Sequence, residues 1–131
     1  MQILVDASVW IDYFQGVASE ATDTLDGLLG RAALAVIDSG IAEVLYGLPD
    51  EHHRQLARQA LLKLWLVDLS GVDLATDSAI YYHTLKIRGI AAQPIHCQIA
   101  ALCRRNDFAL LTSDPVFKDL ERPLGLTLVK G

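Results

Sequence analysis

Residues 1–12 read MQILVDASVWID, and the order of residue types there decides the fold. Ile3-Leu4-Val5 is an apolar, largely β-branched run that stops at Asp6. Ala7-Ser8-Val9-Trp10-Ile11 then opens a helical pattern. A carboxylate at the C-terminal tip of an apolar strand, just before a helix, stands where α/β sheets place their ligands. Asp is also a favoured helix cap, so this stretch alone leaves Asp6 open between a cap and a functional residue. The choice turns on whether other strand ends and helix starts bring carboxylates to the same edge.

The following segments supply them. Ser8 to Gln15 reads as a short helix closed by Gly16, and Ala18 to Leu29 as a second closed by Gly30. Ala32 to Ile37 reads as a strand, with Asp38 or Ser39 able to cap the next helix, Gly40 to Gly47. Glu43 falls in that helix, beside the stripe Ile41, Val44, Leu45 and Leu48. His52 to Leu64 reads as a helix with Leu56, Ala60 and Leu64 inward, and Trp65 to Leu69 as a short strand. Ser70 to Asp73 has the S-x-x-D form of a capping box ahead of a long helix from about Val72 to Arg88. Pro94 suits the first position of the next helix, which ends near Asn106-Asp107. Phe108 to Thr112 reads as a strand, Val116 to Leu120 as one helical turn, and Leu126 to Val129 as a last strand. Strands alternating with helices predict an α/β fold, a three-layer α/β/α sandwich with a mainly parallel central sheet.

The 131 residues are expected to form a single domain, 1–131, with a real core. A hydrophobic share of 52% against 21% charged excludes a disordered chain. The net charge of −5 argues against broad electrostatic binding to nucleic acid, though not against a local basic track. Cys97 and Cys103 lack metal-pair spacing and read as buried free thiols of a cytoplasmic protein. No signal peptide is expected, since the apolar run stops at Asp6, and no stretch approaches membrane-spanning length.

Asp6, Glu43 and Asp114 thus occupy comparable places, all predicted on the carboxyl edge of the sheet. Carboxylates ~4 Å apart repel by roughly 4 kcal/mol per pair at an effective dielectric of about 20. They need protonation or a cation to coexist. Hard oxygen ligands with room for water favour Mg²⁺ or Mn²⁺, which serve phosphodiester hydrolysis by activating water and stabilising charge on phosphate.

VDASVWID, SGIAEVLYG with Glu43, IHCQIAALCRR and LLTSD with Asp114 occur in the order found in PIN-domain ribonucleases. From Ile3 to about Phe117 the chain resembles the VapC-type toxins of bacterial toxin–antitoxin pairs. The resemblance implies a compact α/β/α sandwich and Mg²⁺- or Mn²⁺-dependent endoribonuclease activity. It also implies a homodimer, an RNA substrate and a cognate antitoxin that blocks the acidic site. Position by position, Asp6, Glu43 and Asp114 match the family's acidic metal ligands. Ser8 matches a small polar residue that supports the site, and a helix N-cap remains its alternative.

Two positions depart from the pattern. His96 stands where the family usually has aspartate, and Val116 where it often has another acid. Three carboxylates leave two divalent ions under-compensated, so at most one well-occupied metal is expected. His96 falls at the third helical position, where the helix dipole disfavours a cation, so the ring is expected to stay neutral. Three readings of His96 stand: a surrogate ligand suited to Mn²⁺ or Zn²⁺, an inactivating substitution, or a partly exposed helix-start residue. Arg88, Arg104, Arg105, Lys86 and Lys118 flank the expected cleft and could hold an RNA backbone or form an ordinary solvated face. Trp10, Tyr13, Phe14, Tyr46 and Trp65 read as core or dimer packing. The reaction expected is hydrolysis of single-stranded or looped RNA by metal-activated water. The rival is a non-catalytic protein of the same fold acting through dimer and antitoxin binding. A phosphatase of the haloacid-dehalogenase type would want aspartate where Ser8 stands.

Overall fold

The computed structural model describes residues 2–129, and four strands and seven helices are found among them. In chain order they are β1 (Gln2–Val5), α1 (Ala7–Phe14), α2 (Glu20–Leu28), β2 (Leu34–Ile37), α3 (Asp38–Tyr46) and α4 (Glu51–Leu61). Then follow β3 (Trp65–Val67), α5 (Val72–Ile87), α6 (Pro94–Asn106), β4 (Phe108–Leu111) and α7 (Val116–Leu124). The sheet runs β3-β2-β1-β4 and every pairing is parallel. The expected α/β/α sandwich is therefore present. Leu126 to Val129, predicted as a strand, adds to β4 through one parallel bridge, Leu110 to Leu128.

Alternation along the strands splits the core into two layers. Leu4, Ala35 and Ile37 face the side packed by α5, α6 and α7. Val5, Leu34, Val36 and Leu111 face the side packed by α1 to α4. β2 and β4 are buried throughout, as strands covered on both faces should be. α6 is enclosed from Ile99 to Cys103, and Cys97 is buried with them. This is why both cysteines are buried although their spacing turns them to different sides. Among the described residues no helix is long and apolar enough to cross a membrane.

Several local expectations are corrected. The inward face of α4 carries Ala57 and Leu61, while Leu56 is exposed. The Ser70–Asp73 pattern makes no cap, because Gly71 takes that position at φ 105° and no side chain bonds the helix start. α3 begins at Asp38 directly after β2, with Ile37 in the cap position, so neither Asp38 nor Ser39 caps it. A capping box forms instead at Ser19 and Thr22, each side chain bonding the other's backbone N–H. Tyr46 and Trp65 are 87% and 65% exposed and do not join the core; Trp10 is fully buried and stacks on Phe14.

Because β1 lies between β2 and β4, the edge where the strands end receives three connections. Asp6 follows β1, α3 leaves β2, and residues 112–115 leave β4. β2 continues the chain on one side of β1 while β4 enters on the other. That reversal of strand order is where open parallel sheets form a crevice.

Candidate active site

Asp6 occupies the cap position of α1, yet its side chain bonds no helix N–H. Its Oδ2 instead accepts from the Ser8 hydroxyl at 3.0 Å and the Thr112 hydroxyl at 2.8 Å. The Asp6 N–H donates to the Leu111 carbonyl at 2.9 Å, so the strand ladder itself sets where the carboxylate starts. Ser8 Oγ also accepts from the Ser113 N–H at 3.2 Å. Ser8 is therefore a prop of the Asp6 carboxylate and, lying inside α1, not its cap; Asp6 holds the cap position with its side chain turned to Ser8 and Thr112 instead.

Thr112 ties two of the acids together. Its hydroxyl donates to Asp6 and accepts from the Asp114 N–H at 3.0 Å. Each oxygen of the Asp114 carboxylate has a partner of its own. Oδ1 accepts from the Val116 N–H at 3.0 Å, and Oδ2 lies 2.9 Å from His96 Nε2. Thr112 was not singled out from the sequence, although it lies inside the LLTSD stretch. Its role depends on β4 lying beside β1, which no local pattern encodes.

His96 is at the third position of α6, as Pro94 at the first position requires. The Gln93 N–H donates to His96 Nδ1 at 3.0 Å. An accepting Nδ1 must carry a lone pair, so the proton sits on Nε2 and is donated to Asp114. The ring is the neutral tautomer, wedged edge-to-face on Phe117 at 5.2 Å with its side chain 12% exposed. With both nitrogens occupied it offers no lone pair to a metal, so the surrogate-ligand reading does not match this geometry. It matches the third reading, a partly exposed helix-start residue, but one held on both nitrogens.

Glu43, in the second turn of α3, lines a narrow pocket with Asp6; its free space of about 20 Å³ suits one water or one small ion. No described group hydrogen-bonds the Glu43 carboxylate. Its partial burial first, and the Asp6 charge second, push its pKa up. The residue as a whole stays exposed, so that shift is a local effect at the pocket mouth. Two carboxylates facing one small pocket without a counter-charge fit a hard divalent cation, which is commonly held by one or two carboxylates plus water and phosphate. Asp114 joins them only through Thr112. Among the described residues no three of His, Cys, Asp and Glu converge closely enough to enclose a metal.

The basic residues divide. Arg105 pairs with Asp77 at 2.6 Å and Arg104 donates to the Leu124 carbonyl, so both are engaged elsewhere. Lys86 lines a cleft with His96, and Lys118 lines another with Asp114.

The PIN domain family model matches residues 3–123. The chain belongs to the PIN domain family. A search of curated proteins finds no significant match. Among solved structures, the chain is similar to VapBC2 from Rickettsia felis bound to a DNA fragment from its promoter, at 17% identity and a TM-score of 0.76, with 98% of each chain covered. It is similar to a toxin–antitoxin complex from Klebsiella pneumoniae at 20% identity and a TM-score of 0.67, with 86% of each covered. It is similar to VapC20 of Mycobacterium tuberculosis, a sarcin-ricin loop cleaving toxin, at 14% identity and a TM-score of 0.72, covering 98% of this chain and 99% of that one. At these identities the likeness is one of fold, and this PIN domain has to be read from its own edge residues.

Proposed function

We propose that this PIN domain is the Mg²⁺- or Mn²⁺-dependent endoribonuclease toxin of a type II toxin–antitoxin module. The carrying observation is that Asp6 and Glu43 share one narrow pocket at the carboxyl edge that no described basic side chain lines, with the Glu43 pKa pushed up by partial burial first and by the Asp6 charge second. A divalent ion held there would supply Lewis-acid charge at the scissile phosphate and lower the pKa of a water. The Ser8 and Thr112 hydroxyls fix one Asp6 oxygen and leave Oδ1 for the ion. Asp114, braced by His96 and the Val116 N–H, contributes through water rather than as a direct ligand. RNA in single-stranded or looped form is the substrate, since there the bases are unstacked and the strand can be splayed over such an edge.

The partner is a cognate antitoxin, a reading supported by the toxin–antitoxin complex among the similar structures. A homodimer is supported by apolar side chains left in solvent, among them Trp65 and Leu66 on the edge strand β3. The compartment is the cytoplasm, in keeping with two free buried thiols.

A second reading, a non-catalytic PIN protein, is favoured by one observation: His96 holds the Asp114 oxygen that a metal would otherwise meet. Cleavage of total RNA separates the two. The nuclease reading expects products with Mg²⁺ or Mn²⁺, none in chelator, and at least a hundredfold loss in Asp6→Asn. If neither this chain nor its His96→Asp variant cleaves with either metal, the non-catalytic reading stands instead.

A further inference from the structure

Three large clefts stand out among the described residues, and their charges set them apart. One, of about 380 Å³, is lined by Asp68 and Asp73 together with Arg105 and Asn106 at the end of α6. A second, of about 550 Å³, reaches Thr112 and Asp114 but also carries Glu20 and Glu121. The third, of about 460 Å³, lies between the C-terminal half of α5 and the start of α6. Its lining includes Tyr82, Lys86, Gln93, His96 and Val116 and contains no carboxylate. Lys86 is exposed and forms no ion pair among the described residues.

This third cleft borders the acidic edge through two of its lining residues: His96 bonds Asp114 through Nε2, and Val116 bonds it through its N–H. A polyanion approaching an acidic edge on a chain of net charge −5 needs a carboxylate-free place to settle beside it. Half-buried Tyr82 offers an aromatic surface for a base, Lys86 a cation for the neighbouring phosphate, and the Gln93 side chain an amide at the rim.

We propose that the α5–α6 cleft is a substrate subsite that seats one unpaired nucleobase of the RNA on Tyr82, with the adjoining phosphate on Lys86. The subsite rests on the nuclease reading, since two of its lining residues, His96 and Val116, bond Asp114. The Tyr82 contact is sequence-tolerant, because every base has a π-face. The phosphate contact is salt-sensitive.

The test is fluorescence anisotropy of a short labelled single-stranded RNA of mixed sequence, titrated in EDTA so that neither metal nor cleavage contributes. Tyr82→Ala should weaken Kd about tenfold or more with an unchanged salt slope, and Tyr82→Phe should retain it. Lys86→Ala should weaken Kd and reduce the slope by about 0.7, the release of one ion from a single strand. Lys118→Ala, in the acid-bearing cleft, should bind within twofold of the parent chain. Near-UV circular dichroism checks the fold of Tyr82→Ala, and exposed Lys86 keeps the test decisive should that variant unfold. Unchanged Kd in the Lys86 variant and in folded Tyr82→Ala overturns the subsite, as does an equal loss in Lys118→Ala or a parent chain that binds no RNA. Metal-dependent cleavage alongside unaltered binding by the variants removes the subsite alone. Binding lost as expected, in a chain that never cleaves, removes the nuclease reading alone.

Discussion

His96 takes one hydrogen bond from Gln93 and gives another to Asp114, and most of what distinguishes this edge follows from that single ring. His96→Ala would strip both bonds and the Phe117 contact, and a bond to a carboxylate is worth more than a neutral one. We expect about 1–2 kcal/mol lost in denaturant unfolding; unchanged stability would contradict the bracing role. His96→Asp would instead set a carboxylate against Asp114. That variant should be less stable than the parent in chelator and gain more in Tm from Mn²⁺, read by thermal unfolding in both conditions. Glu43 carries the pH dependence. An acid whose pKa is raised in the fold favours folding below its unfolded value, and that contribution disappears as pH rises through the folded value. At pH 7 the metal-free protein therefore carries the burial cost of an ionised Glu43 and, secondarily, its repulsion from Asp6. Glu43→Gln should raise its stability by a few tenths of a kcal/mol, small because the residue is exposed and screened. The advantage should fade as pH falls through the raised pKa of Glu43.

At the scale of elements, the strand-to-helix switch at Asp6 and the Pro94 start of α6 were legible, because an apolar run cut by a carboxylate and a proline at a first turn act locally. Cap placement was less so. Ser70-x-x-Asp73 has the right letters, yet the chain enters α5 through Gly71 in a conformation that removes the cap. The box that forms is Ser19 with Thr22, where threonine does the work usually given to glutamate. Ser19→Ala should therefore cost about 1 kcal/mol in unfolding free energy, and a neutral result would deny that box its place in α2. α7 extends to Leu124 although Pro123 lies within it, because the last turn is followed by Gly125 in the left-handed region and Arg104 bonds the Leu124 carbonyl. No local pattern announces that long-range support, so the sequence suggested only one turn there.

For the whole molecule, the acids of the edge were legible as three separate positions, but not their grouping. Parallel order β3-β2-β1-β4 brings Asp6 beside Glu43 in one pocket and beside Thr112 in one hydrogen-bonded chain. Asp114 reaches them only at second hand, since His96 and Val116 already claim its oxygens. Solvent also meets Tyr46 on α3, Trp65 on the edge strand β3 and Ile87 at the end of α5, the last 87% exposed. Sedimentation should find a dimer at micromolar concentration, and a monomer there would contradict the homodimer. The central claim is that a carboxylate pair, not a three-acid cage, captures the ion. Calorimetric titration with Mn²⁺ tests it most directly. The account predicts one ion per chain, lost in Asp6→Asn and in Glu43→Gln but weakened less than about tenfold in Asp114→Asn. Two tightly held ions, or undiminished binding by Asp6→Asn, would contradict it.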